Sequence, residues 1–596
     1  AAELFSLGLR QARQLKNQSP DSTVETGWAR AATFARQNGS GSAIATDDAT
    51  GSWLLAVGTW FHSQGLAHGL ASGDEAQLLT RAIEIGADNL AKELEGFFVI
   101  AFGDGQMREV SIITDIIGSH HCVVRSIGDC TILSSSSSLL AGSSGATIDL
   151  TACEEFLRTG VIYEDRTFFR EVRKLAPASV FRFARGKLIG SRRYWQMASL
   201  DPEALDGNQA TKQLIENLIR AAAKIGKLFA HPVCDLTGGY DSRAVVASFL
   251  AAGVDFETTV AGAADSADVV IAEALSEITG KPHRHYESEP AANFDQLQSA
   301  LRLTDGEYDL VDYARIGRLH SLLSRKFDAS INGSFGELAR GYWWELLSSP
   351  IGKREPLDAR KIAARRYAVE PDSPQLFSPE SKLNLPEHLA DVLKHANAGL
   401  EDWPNTAQMD NAYLYLRMKH WQGRIASSTD QIWPCLSPFM LRSVLEVMLQ
   451  TRAQWRRNSL LARMVMAQLN PKLAAHPLES GHPALPLTWR TWPRFAPAAL
   501  VYARKAWAKT SRQFGRQFEQ QFGLRQPVAL REPPRMCLWQ DEQVRELLQV
   551  ETMRLNELLE QQRLRDFLAA SQQSHFAFDG QWQRLLSLEM TLRFLT

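Results

Sequence analysis

From about residue 205 onward, short apolar runs alternate with helical stretches of about a dozen residues, and that alternation leaves few folds open. A helix over 209–228 precedes the strand "HPVCDLT"; a helix over 242–252, the strand "FETTVAG" and a helix over 267–279 follow. Strands separated by helices of that length predict a parallel, doubly wound sheet. Between the first strand and its helix stands "LTGGYDSR": Leu236, Thr237, Gly238, Gly239, Tyr240, Asp241, Ser242 and Arg243. This is a strand-to-helix turn at the carboxyl end of the sheet, where such folds bind ligands. Successive N–H groups and a helix N-terminus suit an anion there, and glycine lets a phosphate approach the backbone. Asp241 would repel a bare phosphate, so a bridging Mg²⁺ gives it a purpose, and Ser242 can donate one more hydrogen bond. A tight turn with an N-cap Asp accounts for the same residues. The motifs GxxxxGK[ST] and GxGxxG are absent, which removes the usual NTPase and dinucleotide readings.

The flanking segments have different grammars. Residues 1–200 carry β-type runs broken by Gly and Asp, namely "SWLLAVGTW", "GFFVIAFGDG", "EVSIITD" and "SVFRFARGKLIG", with a helical stretch over Asp74–Leu94. An α+β domain of packed antiparallel sheets is expected there, then an α/β domain over 205–480. Past about 385 the chain is mostly helical, and a helical extension is expected over 481–596. Five prolines between Pro477 and Pro497 mark a loop or hinge. Ser134–Ser138 reads as a strand end or turn.

Composition sets the outer limits. The 596 residues are 45% hydrophobic and 22% charged, as in a soluble globular protein. A net charge of −2 advertises no nucleic acid, and the apolar run around Phe97–Phe102 is too short for a membrane span. The first residues lack a basic segment followed by an apolar core, so a cytoplasmic location is expected. Cys122, Cys130, Cys153, Cys234, Cys435 and Cys537 show no CxxC or CxxH spacing, which predicts reduced, buried thiols and no zinc site.

"LTGGYDSR" resembles the SGGxDS pyrophosphate loop of the N-type ATP pyrophosphatases, and four further stretches narrow the resemblance to the asparagine synthetase superfamily. "ELEGFFVIAFGD", "ITDIIGSHHCVVRSIGDCTILSSSSSLLAG" and "RRYW" resemble the second half and end of a class II glutaminase domain. "TVAGAADSADVVIAEALSEITGKPH" resembles the second strand and helix of the synthetase domain, where backbone around Val260, Ala261 and Gly262 would meet adenine. "INGSFGELARGYW" resembles the second metal and pyrophosphate loop, carrying Asn332, Gly333, Ser334 and Glu337. "IWPCLSPFMLRSVLEVML" resembles the family's late R-x-P-F-L-D segment. The likeness runs from about residue 50 to 480. It implies an Ntn-glutaminase-like α+β sandwich followed by an α/β ATP-pyrophosphatase domain with a largely helical C-terminal part. It also implies ATP and Mg²⁺ as cofactors, an acyl-adenylate, and an amine that attacks to form an amide. Asp241 and Glu337 would be the metal ligands, with Asp241, Glu337 and Ser334 catalytic.

Departures from the pattern carry their own implications. The family's glutaminase uses an N-terminal Cys, whereas the first cysteine here is Cys122, so this domain is expected not to cut glutamine. A cysteine-less glutaminase scaffold is similar to β-lactam synthetase, carbapenam synthetase and the lasso peptide cyclases, which use an amine already on the substrate. The family's GxGxDE becomes "GSFGE", leaving Glu337 as the carboxylate in that loop. Ser334 stands where relatives carry a Glu or Tyr that acts on the amine, and the late lysine expected near "AHPLESG" is missing. The expected substrate is a peptide or small molecule bearing both a carboxylate and an amine. A macrolactam in a lasso-type precursor comes first, with a leader-binding protein and a peptidase as partners. An ammonia- or glutamine-dependent ligase acting on a sugar acid, and an inactive nucleotide-fold scaffold, are the alternatives.

Weaker signals complete the reading. His120 and His121, adjacent on an expected strand, read as structural. His283 matches a family position for substrate or nucleotide contact. Arg243 and Arg340 each follow a loop motif and can meet phosphate or solvent. In "VYARKAWAKTSRQFGRQFEQQF", Phe514, Phe518 and Phe522 recur at helical spacing beside basic residues including Arg504 and Arg516. That is a solvated basic helix, or a docking surface for an acidic peptide, a partner protein or a glycan-lipid.

Overall fold

The computed structural model describes residues 2–41, 44–63, 71–143, 145–287, 292–366, 372–377, 383–495 and 533–595; the basic segment around Arg504–Arg516 lies outside them. The first third is antiparallel. Its strands are β1 (Ser22–Glu25), β2 (Arg30–Thr33), β3 (Ala45–Asp47), β4 (Ser52–His62), β5 (Leu94–Asp104), β6 (Glu109–Thr114), β7 (Val123–Ile127), β8 (Cys130–Ser134), β9 (Arg173–Lys174), β10 (Ser179–Ala184) and β11 (Lys187–Arg193). Six of them form a sheet in the order β11-β10-β6-β5-β4-β3, and β8-β7-β9 form a smaller one.

β4 and β5 are continuous apolar runs because both faces of the large sheet are covered. One face packs Trp60, Phe98 and Ile100 under Leu78 and Leu90 of two short helices. The other sets Trp53, Val99 and Ile112 against Cys122, Leu175 and Val124 at the smaller sheet. The helix expected over Asp74–Leu94 is two, Glu75–Ile85 and Ala87–Glu93, because Gly86 adopts φ +76° between them. The serine run ends β8 and then opens a helix, Ser137–Gly142, capped by Ser136.

The parallel sheet appears where the alternation placed it. β12 (Pro232–Asp235), β13 (Glu257–Gly262), β14 (His283–Glu287), β15 (Ala329–Ile331) and β16 (Cys435–Leu436) pair in parallel, in the order β14-β13-β12-β15-β16. From β12 the chain steps outward through β13 and β14, then returns to lay β15 and β16 on the other side. The order therefore reverses between β12 and β15. That reversal opens a crevice beyond their carboxyl ends, the place where open α/β sheets take ligands. Helices Gly207–Leu228, Tyr240–Ala251 and Ala267–Thr279 match the three expected segments, the first held by an Asp206/Gln209 capping box.

The changes of secondary structure near 200 and 480 are not breaks in packing. One apolar cluster joins Phe61 and Trp195 to Leu236, Leu445, Met466 and Ala484. A second joins Phe156 and Leu157 to Leu310, Trp582 and Leu585, so the final helix, Asp579–Leu595, closes on the first third of the chain. Between helices Asn405–Ala412 and Gly423–Asp430 runs a ten-residue π-helix, Tyr413–Gln422. Such segments are rare, and they concentrate at functional sites. Among the described residues no helix is long and apolar enough to cross a membrane.

Candidate functional site

β12 ends at Asp235 and β15 at Ile331, so the two glycine-containing loops emerge side by side at the switch point. They touch. A Cβ on Gly333 would lie 2.8 Å from the Ser242 nitrogen, and one on Gly336 would lie 2.6 Å from Asp241 Cγ. Glycine is required there because the second loop passes directly over the start of helix Tyr240–Ala251. Gly336→Ala should therefore displace Asp241 and weaken binding of whatever ligand this turn holds about 10²-fold, the scale of an ångström-sized misplacement. Calorimetric titration with Mg²⁺ and pyrophosphate, with circular dichroism as a control for folding, measures it.

The first loop is braced from within. Leu236 N–H donates to the Thr259 carbonyl at 2.8 Å, tying the turn to β13. The hydroxyls of Thr237 and Ser242 lie 2.9 Å apart, and Thr237 N–H donates to Ser242 Oγ at 3.1 Å. Gly239 N–H donates to Thr237 Oγ1 at 3.3 Å. Gly238 N–H donates to an Asp268 carboxylate oxygen at 2.7 Å, so a carboxylate already occupies part of the anion-binding turn. Val260, Ala261 and Gly262 end the neighbouring strand, and the Gly262 carbonyl is 2.8 Å from a His285 ring nitrogen.

In the second loop, Asn332 N–H donates to the Leu436 carbonyl at 3.0 Å, and Ser334 N–H donates to Asn332 Oδ1 at 3.0 Å. The Ser334 carbonyl accepts from Ser437 Oγ at 2.7 Å. Phe335 takes φ +73°, a left-handed conformation that turns the chain toward Glu337. Two partners that the sequence did not reveal complete the cluster. Arg340 pairs with Asp241 at 2.8 Å, and Tyr413, the first residue of the π-helix, donates its hydroxyl to Glu337 at 2.7 Å. Burial, eased by Arg340 and reinforced by the Glu337 charge, pushes the Asp241 carboxyl up to about 7. Burial alone does the same to Asp235 beneath the loop.

Two expected contacts are corrected. Arg243 does not face the loop's ligand side: its guanidinium is buried and donates to the carbonyls of Leu473, His476, Pro477 and Gly238 at 2.7–3.2 Å. His283 lies at the amino end of β14, on the sheet edge opposite the loops, 2.9 Å from Thr258 Oγ1. His120 and His121 are buried, in keeping with a structural reading, but they lie in a loop and not on the expected strand. That loop is folded around Asp115, whose carboxylate accepts four backbone N–H groups from Ile117 to His120.

The donor set fits Mg²⁺ held jointly with phosphate. Two carboxylates, Asp241 and Glu337, converge beside a glycine turn and a helix N-terminus. Among the described residues no cluster of three or more His, Cys, Asp or Glu is arranged to enclose a metal unaided. An ion completed by phosphate oxygens and water matches that arrangement.

Residues 64–195 match a family model described as a glutamine amidotransferase domain. No curated protein matches the chain. Among solved structures, it is similar to one titled the allosteric regulatory enzyme of purine biosynthesis, at 12% identity and a TM-score of 0.18, covering 41% of this chain and 46% of that one. It is likewise similar to glutamine phosphoribosylpyrophosphate amidotransferase from B. subtilis complexed with ADP and GMP, at 12% identity and a TM-score of 0.18, covering 40% and 47%. The chain thus spans about half the length of these two structures.

Proposed function

We propose that the chain is an ATP-dependent, amide-forming ligase. A carboxylate is adenylated with release of pyrophosphate, and an amine then displaces AMP. The observation that carries this reading is the contact of the two loops at the switch point, with Asp241 pressed between them. Mg²⁺, when bound, would neutralise charge on the departing pyrophosphate, and Asp241 and Glu337 are the side chains that would hold it. Thr237 and Ser242 supply hydroxyl donors, and the first turn of helix Tyr240–Ala251 supplies N–H groups. Arg340 neutralises Asp241 in the absence of a ligand, and Tyr413 fixes the orientation of Glu337.

The nitrogen source separates two readings. A glutamine-dependent ligase is favoured by the match of residues 64–195 to an amidotransferase domain. Against it stand the thiols of that segment. Cys122 and Cys153 are buried and pushed upward by desolvation, Cys122 to about 12, and Cys130 lies on β8. Neither of these two buried thiols is poised as a thiolate nucleophile. An amine tethered to the substrate reaches effective concentrations that free ammonia does not. The reading therefore goes to an intramolecular amide, with macrolactam closure of a lasso-type peptide as the substrate class. Incubation of the 596-residue chain with ATP, Mg²⁺ and candidate core peptides should give a product lighter by one water in mass spectrometry, and glutamine should yield no glutamate. A primary amide formed from glutamine or ammonia, without any dehydrated peptide, would move the assignment to the amidating ligase.

A further inference from the structure

The proline-rich loop beyond the 473–479 segment carries side chains that the ligase reading does not use. Among the described residues, Trp489 and Leu487 are the two most exposed large hydrophobic side chains, at 78% and 67%, and Trp492 is 60% exposed. No other tryptophan among the described residues is left exposed. Arg490 and Arg494, both exposed, stand between and beside these rings, and the Arg490 guanidinium lies 4.8 Å over Trp489. The loop that presents them is braced. Thr488 N–H donates to Thr491 Oγ1 at 2.9 Å, Thr491 Oγ1 donates to the Pro486 carbonyl at 2.6 Å, and Trp492 N–H donates to the Thr488 carbonyl at 2.9 Å. Both ends are tied to Arg463, which donates to the Pro483 and Leu485 carbonyls at 3.0 Å and lies 5.4 Å over the Phe495 ring. The same guanidinium lies 5.4 Å over Tyr240, so the loop is one side chain away from the glycine turn.

Two indoles and a leucine held in water by a braced loop mark a surface that something else covers. The composition says what. Tryptophan, an apolar ring with a polar N–H, suits the boundary between water and hydrocarbon, and leucine prefers acyl chains to the polar face of a nucleic acid. Arginines interleaved with the rings select negative head groups. The charge of the surrounding sequence has the same sign: from Ser480 to Phe518 there is no Asp or Glu and there are seven Lys or Arg, although the whole chain is at −2. Five of those seven lie outside the described residues. We propose that the 485–495 loop docks the protein onto an anionic bilayer surface. Leu487, Trp489 and Trp492 would enter the boundary between head groups and acyl chains, and Arg490 and Arg494 would meet lipid phosphates. The protein then lies on the membrane without spanning it, with the glycine turn close to the lipid face.

The test is cosedimentation of the full chain with extruded vesicles of phosphatidylcholine, alone or with about one-third phosphatidylglycerol. Binding to the mixed vesicles should be about tenfold or more tighter than to the neutral ones, and should weaken as salt rises from about 0.1 M to about 1 M. The double variant Trp489→Ser/Trp492→Ser should lose about tenfold or more of that binding while its Tm stays at the wild-type value, because both side chains are exposed in the free protein. Arg490→Gln/Arg494→Gln should lose about tenfold and leave a smaller salt dependence. Equal pelleting with neutral and anionic vesicles overturns the proposal, and so does a tryptophan variant that pellets like wild type. Two other occupants have their own signatures, and either result also overturns it. Vesicle-free sedimentation velocity would show a dimer that the tryptophan variant loses if a second copy covers the loop, and poly(U) would bind more tightly than the mixed vesicles if the partner is a nucleic acid. Pyrophosphate release plays no part in these readouts, so failure of the ligase reading and failure of this surface are told apart.

Discussion

Asp241→Asn should abolish ATP-dependent pyrophosphate release, by about 10³-fold or more, and leave the fold intact. The loss follows from charge. An amide keeps the volume and one acceptor oxygen but no longer attracts a divalent ion, and charge neutralisation of a phosphoryl group is worth several kcal/mol. The fold survives because the native carboxyl is held near 7 by burial, well above its ordinary value of 3.8. A carboxyl raised on folding adds stability only below its unfolded value, and loses that contribution as the pH rises through the folded one. At pH 8 the ionised native side chain gives no such support, so the asparagine variant loses only the pairing with half-buried Arg340 and should melt slightly below wild type while keeping the fold. The same displacement predicts that Mg²⁺ binding to the free protein strengthens as the pH rises through about 7, because protons and metal compete for one carboxylate. Pyrophosphate release coupled to a colorimetric phosphate assay, Mg²⁺ titration by calorimetry and thermal melts read the three outcomes. Wild-type-like turnover in the variant removes Asp241 from the chemistry.

Arg243→Met should be the more damaging change to stability, costing about 3–5 kcal/mol, because it strands buried carbonyls that a charged donor had satisfied. These belong to Leu473, His476, Pro477 and Gly238, so the variant frees the 473–479 segment from the glycine turn. The Glu479 N–H also donates to the Gly238 carbonyl, at 3.4 Å. Urea unfolding should show the full loss. ATP binding should weaken only as far as the turn loosens, and should recover on lowering the temperature. A variant of unchanged stability that has lost ATP binding outright would return Arg243 to the phosphates.

These two residues also show what a reader of the sequence could see. The alternation of strand and helix was legible because its period is local, but Asp241 reads as a turn or N-cap residue ahead of a helix from 242, whereas the helix starts at Tyr240 and takes Asp241 into its first turn. Arg243 follows by two residues, and at 3.6 residues per turn it points about 200° away from Asp241. Sequence proximity to the motif suggested phosphate, whereas helical geometry already directed the side chain inward. The contact between Gly336 and Asp241 was not legible. It depends on β12 and β15 being neighbours, and strand order is a property of the assembled sheet. Tyr413 was hidden for another reason: the region past 385 reads only as mostly helical, and within it a π-helix redistributes the side chains of "YLYLRMKHWQ" around a different turn. Asp268 and Arg340 lay within segments already singled out, but only the folded loops reveal that one occupies the Gly238 N–H and the other neutralises Asp241.

The closing of the last helix on the first third has a consequence in time. Arg584 Nε donates to the Leu157 carbonyl across 427 residues of sequence. Translation proceeds at about 5–20 residues per second, so helix Leu150–Thr159 leaves the ribosome roughly 20–85 s before its partner is made. For that interval Phe156 and Leu157 lack the apolar cover that Trp582 and Leu585 provide. The nascent chain thus carries an open greasy seam through most of its own synthesis, and the final seventeen-residue helix acts as the latch that ends the exposure.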